Sequence, residues 1–383
     1  MVRRFLLERK FLERQTTRRD LIKSAGLVGA LGLLPGLAIA DGKKGRPGRK
    51  RLARIAHFTD PHVSPHGPGS MWLAKALEHA NDLKDAPSMI LFGGDMVFDG
   101  NMATKDDMAA QWNTFHTTLR NHNSLPVRYA IGNHDVWGWF SHSVDSQEAE
   151  YGKQWVRDTL QLANTYYSFD QVGWHFVVLD SIKRHKMGYI GSLGPEQLDW
   201  LDGDLSAHAN KPTLVMSHIP LLSACSAFLG HCEIDGSHWH VPGATMHIDG
   251  RKTKDLFVKH TNVKLCISGH IHLVDRVDYN GVSYVCNGAV SGNWWRGNFQ
   301  ETPPGYALID LFDDGTWHRE YMHYGWTPQA YAGADPACNE RNHSGPRQRG
   351  PDKPLDACAS ASPFRDDKSD HSLTKASLSA TQG

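Results

Sequence analysis

No two cysteines of this 383-residue chain form a C-x-x-C pair. Closed structural zinc sites draw on Cys in tetrahedral sets, so that class of site is excluded and any metal here rests on oxygen and nitrogen donors. Net charge is also missing: 41 Lys and Arg offset 41 Asp and Glu. The balance shifts along the chain, because residues 1–40 hold 8 of the basic and 3 of the acidic side chains. Residues 41–383 hold 33 basic against 38 acidic side chains, a net of −5. A body of that sign has no electrostatic footprint for general nucleic-acid binding. There is no internal repeat, and the apolar stretch from Ala25 to Ala40 is short and rich in Gly and Ala. Such a stretch does not comfortably cross a hydrocarbon core of about 30 Å, so no stable membrane anchor is expected. The length suits one large catalytic domain with a substantial core.

The leader has its own pattern. Thr17-Arg18-Arg19-Asp20-Leu21-Ile22-Lys23 resembles the twin-arginine export motif, with Leu21 and Ile22 in place of Phe and Leu. The small-residue stretch behind it ends Ala38-Ile39-Ala40, an A-x-A cleavage site. No Cys stands at the cleavage point, which argues against a lipoprotein. Residues 1–40 are therefore expected to be a cleaved twin-arginine signal peptide, with the export machinery as a partner and a periplasmic or secreted destination. Residues 41–51 form a basic linker, 52–331 a catalytic domain, and 332–383 a flexible tail that is polar, rich in Ser, Asp, Pro and Gly, and without periodicity.

Five short clusters carry oxygen and nitrogen donors in a fixed order: Asp60-Pro61-His62, Gly94-Asp95, Gly132-Asn133-His134-Asp135, Ser217-His218 and Gly269-His270-Ile271-His272. Each sits at or just past the end of an apolar run: Ile55–Phe58, Met89–Phe92, Val127–Ile131, Leu214–Met216 and Val263–Ile267. Runs of that length bounded by Gly, Pro and polar residues read as buried strands. Ligands of α/β sheets bind beyond the carboxyl ends of the strands. Asp and His together suit Mn, Fe, Co or Zn. Asn is a neutral ligand that leaves a metal more Lewis-acidic than a third carboxylate would. In Asp60-x-His62 and His270-x-His272 a spacing of two puts both side chains on one face of extended backbone. A site for two metals is expected.

The order D-x-H, G-D, G-N-H-D, H, G-H-x-H resembles the calcineurin-like metallophosphoesterase superfamily, over roughly residues 52–325. One motif alone is weak; five in order are specific. Within it the chain is most similar to bacterial cyclic-nucleotide and glycerophosphodiester phosphodiesterases. The resemblance implies a four-layer α/β/β/α sandwich with a dinuclear site at one edge of the sheets. It implies that Asp60, His62, Asp95 and His272 bind one metal. Asp95 then bridges to a second held by Asn133, His218 and His270. His134 stays off the metals, faces the phosphate and is the catalytic residue. The cofactors implied are two divalent or mixed-valence transition metals, Mn, Fe, Zn or Co. The reaction implied is attack by a metal-bound hydroxide on a small-molecule phosphate ester, a phosphodiester in preference to a monoester. A non-catalytic metal- or phosphate-binding module is the rival reading; the intact ligand order opposes it. Export in the folded state suits a metalloenzyme that selects its metal in the cytoplasm.

Two departures narrow the family. Purple acid phosphatases place an iron-ligating Tyr three residues after the bridging Asp, where this chain has Phe98. Protein phosphatases continue G-D-x-V-D-R-G, and Gly94-Asp95-Met96-Val97-Phe98-Asp99-Gly100 has no such Arg.

Helices are expected over Ser70–Leu83, Met102–His122, Gly194–Leu205 and Lys252–His260. Hairpins are expected at Gln171-Val172-Gly173, Asn280-Gly281 and Asp313-Asp314-Gly315. His79, His116 and His122 read as surface residues. Asp135 either orients His134 or caps the next turn, the second being preferred. Trp137, Trp139, Phe140, Trp294 and Trp295 either pack the core or wall a pocket. His231, His238, His240 and His247, in the insertion after His218, either touch substrate or face solvent. Cys266 and Cys286 read as buried thiols, while Cys225 with Cys232 and Cys338 with Cys358 are pairs that an oxidising compartment permits as disulfides.

Overall fold

The computed structural model describes residues 40–42, 48–229 and 233–327. The expected signal peptide up to Ile39, His231, Cys232, the Cys338–Cys358 pair and the polar tail lie outside the described residues. In chain order the elements are β1 (Ala40–Gly42), β2 (Arg51–Phe58), α1 (Gly69–Asn81), β3 (Ile90–Phe92), α2 (Lys105–His122), β4 (Val127–Tyr129), α3 (Gln154–Thr159), β5 (Tyr167–Gln171), β6 (Trp174–Val178), β7 (Ile182–His185), β8 (Gly188–Gly191), α4 (Gly194–Ala207), β9 (Thr213–Met216), β10 (Glu233–Asp235), β11 (His238–His240), α5 (Gly250–Lys259), β12 (Val263–Ser268), β13 (Asp275–Tyr279), β14 (Val282–Cys286), β15 (Tyr306–Phe312) and β16 (Trp317–Met322).

Two six-stranded sheets form, in the orders β1-β16-β15-β2-β3-β4 and β13-β14-β12-β9-β6-β5. β2, β3 and β4 run parallel in the first, and β6, β9, β12 and β14 in the second. Alternation along each strand makes the layers. Ile55, Leu91, Ile309, Leu214, Met216 and Leu265 point into one cluster shared by both sheets. Their neighbours Ala56, Phe92 and Leu308 face a cluster with Leu73 and Phe115 of α1 and α2. Val215 and Cys266 face Leu201, Leu205 and Leu256 of α4 and α5. The result is the four-layer α/β/β/α sandwich. Burying each such Leu or Ile contributes about 1.5–3 kcal/mol.

All five apolar runs are strands. Helix α2 starts at Lys105, later than expected, because Thr104 is extended (φ −66°, ψ 166°) and its hydroxyl accepts the Asp107 N–H. Asn280 and Gly281 both take left-handed φ (49° and 82°), as a tight β13–β14 hairpin requires. The small hairpins β7–β8 and β10–β11, and α3, have no signature in the periodicity of the sequence. His79 departs from expectation: it is half-buried, 2.8 Å from the Tyr306 hydroxyl. Cys225, Cys266 and Cys286 are free thiols. Trp326 is buried, edge-on to Trp72 and Trp295, so the packed core extends at least that far. Among the described residues no helix is long and apolar enough to cross a membrane.

Candidate metal centre

The carboxyl ends of β2, β3 and β4 in one sheet and of β9 and β12 in the other converge on one edge of the sandwich. Asp60 and His62 follow β2, Asp95 follows β3, Asn133 and His134 follow β4, His218 follows β9, and His270 and His272 follow β12. All but His134 and His270 are buried. Five of the residues in these turns are left-handed without being glycine: Asp60 (φ 54°), His62 (43°), Asp95 (53°), His270 (69°) and His272 (55°). Such strain persists only where the surroundings over-determine it, and it concentrates at functional sites. Two glycines permit the crowding. A Cβ on Gly132 would run into the Asp95 carboxylate, and one on Gly269 into Thr59 and Asp60.

The donors gather into two overlapping sets. Asp60, His62 and His272 form one, with His272 Nε2 3.2 Å from His62 Nε2 and 3.3 Å from Asp60 Oδ1. Asp95, His218 and His270 form the other, with His218 Nε2 3.2 Å from Asp95 Oδ2 and 3.2 Å from His270 Nδ1. The Asn133 amide oxygen is 3.2 Å from His218 Nε2. Asp95 Oδ2 also comes within 3.9 Å of His62 Nε2, so one carboxylate lies between the sets. His62, Asp95 and His134 make a third overlapping group.

The outer contacts fix which ring nitrogen faces inward. His218 Nδ1 donates to the Gly93 carbonyl at 2.8 Å, His272 Nδ1 to Gly292 at 2.5 Å, and His270 Nε2 to Ala244 at 2.8 Å. The opposite nitrogens of His272 and His270 then present a lone pair to the centre, and that of His218 does so once a cation displaces the proton it shares with Asp95, the arrangement that orients metal-ligating imidazoles. Asp60 Oδ2 accepts from Thr59 Oγ1 and the His270 N–H, whereas Asp60 Oδ1 is buried without a partner. A buried carboxylate oxygen with no donor is costly, and a cation among these atoms satisfies it. The residues therefore fit two divalent metals.

Electrostatics agree. Burial, then the His134 charge, holds His62 well below the ordinary imidazole range. Burial, then the His218 charge, lowers His270 to about 3; both rings are neutral, as ligands must be. Burial opposes ionisation of Asp60 and Asp95, but the neighbouring histidines overcome it and both carboxyls lie well below their usual range. His218 loses to burial but gains more from Asp95, which lifts it to about 9. A cation between the two replaces that proton.

His134 is partly exposed, with its ring edge-on to His62 at 4.9 Å. Its backbone N–H donates to Asp95 Oδ1 at 2.7 Å, while ring Nδ1 has no hydrogen-bond partner and sits 3.9 Å from Asp99. Asp135 does neither job expected of it. Its carboxylate accepts the N–H groups of Asp95, Met96, Val97 and Gly132, tying the two donor loops together. Burial and the Asp95 charge push that carboxyl up to about 8, against the pull of those amides.

The insertion after His218 contributes a backbone group: the Ala244 carbonyl that orients His270. Its His238 and His240 are exposed, and His247 is buried against Ser217 and Asp249. Trp137, Trp139 and Trp295 pack into the core. Phe140 stacks on Tyr189 at 6.2 Å, and Tyr189 stands edge-on to His270 at 6.0 Å. Trp294 lies over His272 and His62. Periodicity gives no signal for Tyr189, and carbonyl partners have no side-chain signature at all. Phe98 is exposed and belongs to none of the donor sets.

A family model described as "Calcineurin-like phosphoesterase" matches residues 53–274. A 3',5'-cyclic-nucleotide phosphodiesterase of Nostoc sp. is 25% identical over 249 residues, covering 63% of this chain and 78% of its own length. A probable glycerophosphodiester phosphodiesterase of Arcobacter nitrofigilis is 23% identical, covering 60% and 75%. Among solved structures, a dimetal phosphatase from Danio rerio superposes with a TM-score of 0.51 at 14% identity, covering 69% of this chain and 94% of that one.

Proposed function

The chain belongs to the calcineurin-like phosphoesterase family and is a metal-dependent phosphoric ester hydrolase; we propose that it prefers phosphodiesters, cleaves them at a two-metal centre, and acts after export from the cytoplasm. The placing of Asp95 carries the reading, since its carboxylate lies 3.2 Å from His218 of one donor set and 3.9 Å from His62 of the other. Asp60, His62, Asp95 and His272 would hold one ion, and Asp95, Asn133, His218 and His270 the other. When bound, two divalent ions supply Lewis acidity toward phosphoryl oxygens and lower the pKa of water. The protein's part is to hold that charge in a water-poor edge and to position a proton. His134, partly exposed and not hydrogen-bonded at ring Nδ1, is placed to give a proton to the leaving oxygen. The relatives' printed activities on cyclic nucleotides and glycerophosphodiesters support the diester preference. Phe98 in place of Tyr supports a site without a tyrosinate-iron bond.

The test is reconstitution of the metal-free protein with Mn, Zn, Fe or Co, assayed on bis(p-nitrophenyl) phosphate and p-nitrophenyl phosphate. Faster turnover of the diester is expected. A monoester preference would reverse the substrate assignment, and no turnover with any metal would leave a non-catalytic binding module.

Export rests on Arg18-Arg19 and the Ala38-Ile39-Ala40 site. Replacing both arginines by Lys is expected to hold the precursor in the cytoplasm. Unchanged delivery of the double variant to the periplasm removes the export reading.

A further inference from the structure

Two adjacent tryptophans of the loop after β14 do opposite jobs. Trp295 is buried, and its Nε1 donates to the carbonyls of Pro61 and His62 at 3.0 and 3.2 Å. It pins the loop to the backbone that carries the first donor set. Trp294 is only half-buried. Its ring centroid is 4.5 Å from His272 and 5.2 Å from His62, tilted by 32° and 40°. Phe299 meets it edge-on at 6.1 Å. The three ring centroids of Trp294, His62 and His272 thus form a near-equilateral triangle, since the two histidines are 5.1 Å apart.

Reaching that position requires strained backbone. Trp294 and Trp295 take φ of 46° and 65°, a region that bulky residues avoid. The turn is closed by Asn293 N–H donating to the Gly297 carbonyl and by Trp295 N–H donating to Ser291. The two consecutive left-handed residues turn Trp294 back over the donor histidines while Trp295 packs into the core. On the other flank Tyr189 and Phe140 stack beside His270. The donors are therefore flanked by aromatic surface on both sides.

We infer that Trp294 is a specificity-determining platform that selects phosphate esters carrying a planar aromatic or heteroaromatic group, which stacks on the indole while the phosphate sits among the donors. This rests on the hydrolase reading above and names its substrate class. Offset stacking adds to the burial of area, so planarity itself is what the platform reads.

Two phosphonates of similar size isolate planarity, and their C–P bonds resist hydrolysis. Calorimetric titration of the full chain loaded with Mn²⁺ is expected to show phenylphosphonate binding about two- to tenfold tighter than cyclohexylphosphonate. Trp294→Leu, which keeps apolar bulk, should bring the ratio to about 1, and Trp294→Phe should retain most of it, with metal content unchanged in both. A wild-type ratio near 1, or a ratio preserved in Trp294→Leu, overturns the inference. So does loss of metal in both variants, which would make the ring a cover for the histidines. Turnover of bis(p-nitrophenyl) phosphate is followed in parallel: its absence with every metal sinks the hydrolase reading, while the binding ratio still judges the platform.

Discussion

Asp135 holds Asp95 by the backbone: its carboxylate accepts the Asp95 N–H at 2.9 Å, and with it those of Met96, Val97 and Gly132. Oδ1 takes two of these donors and Oδ2 the other two. An amide has only one acceptor oxygen, so Asp135→Asn turns an NH₂ toward two N–H groups. A buried donor left unsatisfied costs about 1–3 kcal/mol. Asp135→Asn is expected to destabilise the fold by about 2 kcal/mol or more and to weaken metal retention. Urea unfolding at the wild-type value, with full metal content, would show that the loop does not depend on this carboxylate.

Among the described residues Asp95 is the one carboxylate within reach of both donor sets. Asp95→Asn replaces a charge that can bridge two dications with a neutral amide. Metal content by mass spectrometry should fall, and turnover should approach background. Wild-type-like activity in a metal-replete assay removes the dinuclear assignment.

His134 should behave differently. It touches Asp95 through its backbone N–H, which Ala retains. His134→Ala is therefore expected to keep both metals and lose about 10²–10⁴ in rate, the usual worth of a positioned proton donor. The loss should shrink on esters with good leaving groups. A variant short of one metal shows that the ring is a ligand.

Far from the centre, His175 is gripped by Asp170 at 2.9 Å and Asp204 at 2.8 Å, with His208 stacked on it at 3.8 Å and Lys211 on Asp170. Burial lowers the His175 pKa, but the two carboxylates more than offset this and raise it. A raised folded pKa contributes stability that is fully present below the unfolded value of about 6.5. That stability is lost as pH rises through the folded pKa. The carboxyls of Asp170 and Asp204 are lowered, so their contribution fades as pH falls through the acid range. Unfolding free energy should therefore decline as pH rises above the ordinary imidazole value of about 6.5, and His175→Gln should flatten that decline. A slope identical in the variant would place the titrating group elsewhere.

The frame and the candidate donors were legible in the order of the residues alone. Parallel strands covered on both faces must be apolar on both faces, so Met89–Phe92 or Leu214–Met216 appear as unbroken runs whose ends are unmistakable. The donors stand just past those ends because that is where parallel strands deliver side chains to a common edge. Local chemistry also announced the Asn280-Gly281 hairpin and, to within a few residues, the helices.

The pairing between distant segments emerges only in the folded chain. The carbonyls that orient His218, His272 and His270 come from residues 125, 20 and 26 positions away, and a peptide oxygen looks the same in any sequence. Asp135 is adjacent to His134 yet serves the loop of Asp95, because a buried carboxylate goes where unsatisfied amides are. Trp294 and Trp295 are indistinguishable as letters. Left-handed turns at both send one ring into the core and the other over the donor histidines His62 and His272, and only the folded loop could separate them.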